Sequence, residues 1–236
     1  MNRLLSLFLF LFATLPLSAQ HVHSVVGFPS AEPGYSLGVS ACYAGQIGDY
    51  LVMAGGCNFP EAGKPKKYYA GVYEARIDRE TLQWRLVGFL PEPAAYGATV
   101  ASGDSLLFIG GNNNDHSLAS VYSVRLNAAG TGIALNRLAD LSATADNMAV
   151  ALAGTDVFVV GGNQNGKPSA NVLRYQLDSN VTNQGANSIV QASNNTAFVT
   201  LRVPGAPRVQ PVAAAYNNKV YVWGGFYAHG EQSKVH

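Results

Sequence analysis

Apolar residues fall in short runs along this chain. LVMAGG (Leu51 to Gly56), LLFIGG (Leu106 to Gly111), VFVVGG (Val157 to Gly162) and VYVWGG (Val220 to Gly225) are each four apolar residues closed by a glycine doublet. A run of that length bounded by turn formers reads as a buried strand, because a helix needs a longer periodic stretch. The runs sit behind turn signals such as Gly48-Asp49 and Gly103-Asp104, which join them to VSACYAG and ATVAS as hairpins. GVYEARID, ASVYSVRL and ANVLRYQLD follow with period-two alternation, the mark of further strands. LQWRLVGF, IALNRLADL and AFVTLRVP supply a fourth strand per unit. No long segment carries apolar residues at spacings of three and four, so the pattern predicts an all-β fold.

The second glycines of the doublets are 55, 51 and 63 residues apart. Self-similarity near fifty residues predicts a kelch-type β-propeller. The blades fall at about residues 38–90, 96–141, 146–203 and 208–236, the last incomplete. A polar stretch from Ser179 to Thr196 accounts for the wider last spacing and reads as an exposed excursion. Residues 21–35 contain HSVVGFP, which resembles WRLVGFLP at the end of the first unit. They are expected to form the outer strand of the last blade, closing the ring across the chain ends. About three and a half blades cannot bury their faces as a ring. The expectation is therefore a partial propeller, residues 20–236, belonging to a longer protein, with closure by a partner chain as the alternative.

Composition sharpens this picture. Of 236 residues, 48% are apolar and 12% charged, with a net charge of +1. No basic stripe is available for nucleic acid, so no such partner is expected. Residues 1–19 read as a signal peptide: Arg3, an apolar run from Leu4 to Leu17, then Ser18-Ala19. An uncleaved anchor is the alternative, but the run is short for a spanning helix. The mature chain is expected to begin near Gln20, periplasmic or secreted, with no membrane attachment after cleavage. In the first hairpin as drawn from sequence, Cys42 lies opposite Met53, leaving Cys57 out of register and both thiols free.

Propeller geometry says where chemistry belongs. Residues leading into each inner strand and residues leaving the second strand share one rim, and those rims converge on the channel mouth. The leading residues are Tyr96, Asp146, Asn147, Arg208 and Gln210; the leaving ones are Asn58, Phe59, Asn112, Asn113, Asn163 and Phe226. Carboxamides both donate to and accept from hydroxyls, and aromatic rings cover the apolar side of a sugar. The candidate substrate-binding residues are Asn58, Tyr96, Asn112, Asn147, Asn163 and Arg208. Asparagine after Gly-Gly also simply tolerates a left-handed turn, so a structural role stands beside the binding one. His21 and His23 form an H-x-H pair beside the cleavage site, which reads as a flexible end rather than a metal site, and His116 and His229 are loop residues without Cys or Asp at ligand spacing, so neither metal nor cofactor is expected. Nucleophile-elbow, phosphate-loop and dinucleotide motifs are missing from the sequence.

SLGVSACYAGQIGDYLVMAGGCNFPEAGKPKKYYAGVYEARID, AAYGATVASGDSLLFIGG, DNMAVAL and PGAPRVQPVAAAYNNKVYVWGGF together resemble the N-acetylneuraminate mutarotases, also called epimerases, in their cyclically permuted branch. The resemblance implies six blades, export, and a small sugar acid bound at the channel mouth. It implies interconversion of sialic acid anomers by acid–base ring opening and closure. It also implies a catalytic Glu directly after a strand-two Gly, with an Arg six positions on. Cys57, Asn112, Asn163 and Phe226 hold those places here, so the catalytic residues are unknown and are expected beyond His236, and the 236-residue form is expected to be inactive. The family's Arg at the lead-in to an inner strand is replaced in Pro93-Ala94-Ala95-Tyr96. A non-catalytic propeller binding glycan or protein is the rival reading. A galactose-oxidase-like copper enzyme is a further rival, for which the histidines are too few.

Overall fold

A computed structural model describes residues 26–77, 81–177, 199–202, 206–229 and 232–235. The leader at 1–19 and the polar excursion at 179–196 lie outside the described residues. Among those described, the chain is built almost wholly of antiparallel strands, as a partial kelch-type propeller.

The first blade opens with β1 (Tyr43–Ile47) and β2 (Tyr50–Ala54), followed by a small hairpin of β3 (Cys57–Asn58) and β4 (Lys67–Tyr68). β5 (Gly71–Arg76) and β6 (Arg85–Phe89) complete a sheet in the order β1-β2-β5-β6. The second blade is β7 (Ala98–Ser102), β8 (Ser105–Ile109), β9 (Val121–Leu126) and β10 (Ile133–Arg137), in sequential order. The third begins with β11 (Ala145–Asp146), then β12 (Ala149–Ala153) and β13 (Asp156–Val160). Its hairpin β14 (Asn163–Gln164) and β15 (Lys167–Pro168) precedes β16 (Asn171–Gln176) and β17 (Val199–Arg202). The fourth has the inner hairpin β18 (Val212–Tyr216) and β19 (Lys219–Trp223), with a separate hairpin β20 (Phe226–His229) and β21 (Gln232–Val235). The inner strands β1, β7, β12 and β18 stand side by side in that order.

Blade faces explain the apolar runs. β8 lies in a blade covered on both sides, and all five of its residues are buried. β2, in the first blade, alternates buried with half-buried positions, and β19, in the fourth, leaves every second residue exposed. One cluster, around Tyr43, Val52, Leu106, Phe108 and Val124, fills the space between blades one and two. Another, around Leu107, Ile109, Val157, Val159 and Leu173, fills the space between blades two and three.

The glycine doublets are where blades meet. Gly56, Gly111 and Gly162 each donate a backbone hydrogen bond, 2.7 Å long, to the carbonyl of Ala94, Ala145 and Arg208, in the loop that leads to the next blade. The preceding Gly55, Gly110 and Gly161 have φ near +60°, and a Cβ there would sit 2.2, 2.3 and 2.7 Å from those same carbonyls. Both the left-handed backbone and the close approach therefore require glycine.

The described part of the N-terminal segment rests on the first blade. Val26 bridges Thr81, Glu32 accepts from the Tyr73 hydroxyl (2.9 Å) and the Gly71 amide (3.0 Å), and Tyr35 is fully buried against Tyr69 and Tyr73. These contacts cover the face of blade one turned away from blade two. Among the described residues the segment pairs with no strand of the fourth blade, the last one seen here, so its role as an outer strand closing a ring remains an expectation.

The first hairpin corrects one register. Ala44, not Cys42, pairs with Met53, and Ser40 bridges Cys57. The two-residue turn joins Ile47 directly to Tyr50, which moves the ladder two positions from the sequence drawing. Both thiols are free.

Candidate functional site

Four equivalent residues outline the rim. Ala41, Tyr96, Asn147 and Gln210 all have positive φ, at 56°, 58°, 51° and 55°. Each stands just before an inner strand, at the same spacings as the glycine doublets. Their backbones are joined from blade to blade: Tyr96 N–H donates to Ala41 (3.0 Å), Asn147 to Tyr96 (2.8 Å) and Gln210 to Asn147 (2.7 Å). A left-handed residue turns its N–H and its carbonyl toward opposite neighbours. Non-glycine residues in that region cost about 1–3 kcal/mol each, and the shared hydrogen bonds offset that strain. The result is an arc of backbone with Tyr96, Asn147 and Gln210 side chains at the mouth.

Behind the arc lies a buried carboxylate. Asp146 is 2% exposed and paired in the β11–β14 ladder with Asn163. Its Oδ1 accepts from Asn147 Nδ2 (2.7 Å) and Asn163 Nδ2 (2.8 Å), and its Oδ2 accepts from Ser117 Oγ (2.5 Å). An ionised carboxylate only accepts, so both carboxamides must turn their NH₂ groups inward. Asn147 Oδ1 in turn accepts from Gln210 Nε2 at 3.0 Å. Asn163 keeps its Oδ1 and its second N–H.

The side toward blades one and two is different in character. Lys66, just before β4, donates to the Tyr96 hydroxyl at 2.8 Å. Its ammonium also lies 4.8 Å from the Tyr96 ring centre, 5.7 Å from Phe59 and 5.8 Å from Tyr68. The bond to Tyr96 holds its proton affinity above the ordinary lysine value of 10.5. Tyr68 donates to Asn112 Oδ1 at 3.2 Å, and burial pushes the Tyr68 phenol up. The Asn112 backbone bridges both Ala95 and Ser117, tying this group to the Asp146 cluster.

Of the six residues named from sequence, Tyr96, Asn112, Asn147 and Asn163 come together at this rim. Asn58 and Arg208 turn away. Asn58 donates to the carbonyls of Gly34 (2.9 Å) and Gly38 (2.7 Å) and accepts from the Tyr69 hydroxyl (2.8 Å), so its amide staples the N-terminal segment to blade one. Arg208 occupies the position equivalent to Ala94 and Ala145, under a glycine doublet, and donates to the Gly224 carbonyl at 3.1 Å. Gln210, rather than Arg208, is the residue in register with Tyr96 and Asn147. Lys66, Tyr68 and Ser117 were missed. The register of Gln210 was legible from the 55, 51 and 63 spacing, whereas nothing local marks Lys66. A cavity of about 480 Å³ lies at the opposite rim, between Tyr50, Glu74, Trp84, Arg85 and Thr131, and none of the rim residues above lines it. Among the described residues no three His, Cys, Asp or Glu side chains group as a metal site, and no helix is long and apolar enough to cross a membrane.

No family model matches the chain. It is 33% identical over 105 residues to an N-acetylneuraminate epimerase of Brucella suis, a match covering 41% of this chain and 26% of that protein. Over 104 residues it is 32% identical to the Vibrio vulnificus N-acetylneuraminate epimerase, covering 38% and 26%. The Yersinia enterocolitica epimerase is 30% identical over 91 residues, covering 33% and 22%. The chain resembles the N-acetylneuraminate epimerases. The matched stretches span about a quarter of those relatives' length. The solved structure of YjhT aligns with a TM-score of 0.60 at 12% identity, over 81% of this chain and 60% of that one, which supports the propeller fold alone.

Proposed function

We propose that the rim of this propeller binds a sugar acid and that the whole protein interconverts the anomers of N-acetylneuraminic acid or a close relative. The observation that carries this is the convergence of Tyr96, Asn112, Asn147 and Asn163 on one mouth, in a chain whose curated relatives are named for that sugar. Mutarotation needs a proton taken from the anomeric hydroxyl and another given to the ring oxygen, with the sugar held still while its ring opens. The residues described here bind and orient. Asn163 and Gln210 meet hydroxyls, and the exposed ring of Phe59 offers an apolar face to the sugar's C–H side. The catalytic pair that the family resemblance implies is absent from the four positions after the glycine doublets. In this reading the leader at 1–19 directs the protein to the periplasm or beyond.

Exchange NMR between the two anomers tests the proposal. The product of the full gene is expected to raise the exchange rate of N-acetylneuraminate well above that in buffer, and the 236-residue chain to bind without raising it. A full gene product that leaves the rate unchanged contradicts the catalytic reading. One observation favours a second reading, a propeller that binds glycan without catalysis: Cys57, Asn112, Asn163 and Phe226 stand where the relatives' catalytic Glu is expected.

A further inference from the structure

We infer that Lys66, with Tyr96 and Asn112, forms an anion-binding subsite that takes the carboxylate of the ligand and so fixes which way round it sits. The inference rests on the sugar-acid reading for the identity of the ligand, but not for the existence of the subsite.

Hydrogen-bond capacity carries the argument. Cations near the rim are mostly engaged inside the fold: Lys67 donates to the Pro33 carbonyl at 2.7 Å and Arg208 to Gly224. Lys66 differs. Among the described residues no carboxylate lies within ion-pair distance of its ammonium, and its one hydrogen-bond partner is a phenol. An ammonium has three protons to donate. The Tyr96 oxygen accepts one of them and keeps its own proton to give. Tyr68 occupies Asn112 Oδ1, which leaves the Asn112 NH₂ as a donor with no partner among the described residues. Three donors, one of them charged, are thus left over on the side of blades one and two. A carboxylate is acceptor-only, and charge-assisted bonds to it are the strong ones.

The opposite side has the reverse polarity. Asp146 takes one N–H from each of Asn147 and Asn163 and the proton of Ser117, and Gln210 occupies Asn147 Oδ1, which leaves Asn163 Oδ1 as an acceptor beside a carboxylate that repels a second anion. Hydroxyls can donate to that oxygen, and a carboxylate cannot. A sugar acid therefore lies with its carboxylate at Lys66 and its hydroxyls at Asn163. Lys66 also restores a cation next to Tyr96, where the lead-in lacks an arginine. The rings of Phe59, Tyr68 and Tyr96 surround the ammonium at 4.8–5.8 Å, and the bond to Tyr96 sets its position before a ligand arrives.

Titration of the 236-residue chain with N-acetylneuraminate, with its methyl ester and with acetate tests the subsite. The acid is expected to bind at least about tenfold more tightly than the ester. Lys66→Met should abolish that preference, and Lys66→Arg should retain most of it, with thermal midpoints showing that each variant folds. If acid and ester bind wild type equally, the subsite is refuted while the sugar reading survives. If neither sugar binds but acetate shifts the Lys66 and Tyr96 NMR signals, the subsite stands and the sugar reading falls. If acetate shifts neither and no sugar binds, Lys66 is only a strut and the inference is overturned.

Discussion

At the scale of single residues, two separate reasons for glycine can be measured apart. Gly110 has φ +57°, and a Cβ would meet the Ala145 carbonyl at 2.3 Å; Gly130 has φ +64° with nothing within 4 Å. Gly130→Ala should lose about 1 kcal/mol of stability through backbone strain alone. Gly110→Ala should lose about 3 kcal/mol or more, because the inter-blade carbonyl must also move. Urea unfolding of both variants checks this, and equal losses would mean the close approach is unimportant. Lys66 has a pH consequence. Its folded proton affinity is raised, so its tie to Tyr96 is fully present below pH 10.5 and is lost only as pH rises through the higher folded value. Anion binding should therefore be unchanged between about pH 6 and 9.

Between elements, the Asp146 carboxylate joins blade two to blade three through Ser117, and orders Asn147 and Asn163 within the third blade. Asp146→Asn removes the charge that three donors face and turns one of the two accepting oxygens into an NH₂ donor, so at least one of the three bonds is lost. Hydrogen bonds to charged groups contribute about 1.5–3 kcal/mol, so unfolding stability should fall by about that much and binding at the rim should weaken with it. Unchanged stability would show that the cluster is incidental. This scale also shows what the sequence could convey. Strands and doublets were legible because period-two alternation, a four-residue apolar run and Gly-Gly are local signals. The rim was legible in part: Tyr96, Asn112, Asn147 and Asn163 follow from propeller geometry and spacing. Asn58 stands one residue beyond the position of Asn112 and Asn163, and a one-residue shift sends a side chain to the other face; Arg208 stands two residues before the left-handed Gln210, in the loop whose carbonyl takes the Gly162 amide. Lys66 was invisible because its partner is 30 residues away, across a hairpin and a blade. Asp146 was recognised as a rim residue, but its burial depends on three donors from two blades.

For the molecule as a whole, cover decreases away from the second blade. β8 is buried along its length, while Val212, Tyr216, Tyr221 and Trp223 on the fourth blade's inner hairpin are each roughly half exposed or more. The rim arc nevertheless runs unbroken from Ala41 to Gln210, so the proposed binding surface belongs to several blades at once. Glu74, the buried partner of Arg85 that also accepts from the Ile133 amide at 2.8 Å, marks the opposite end of the same blades. The most direct measurement is a titration of the isotope-labelled chain with N-acetylneuraminate, followed by NMR. The expected result is shifts at the side-chain amides of Asn112, Asn163 and Gln210 and at the ring of Tyr96, with Arg85 and Trp84 at the far rim unmoved. Shifts confined to Trp84 and Arg85, or none at millimolar sugar, would contradict the account.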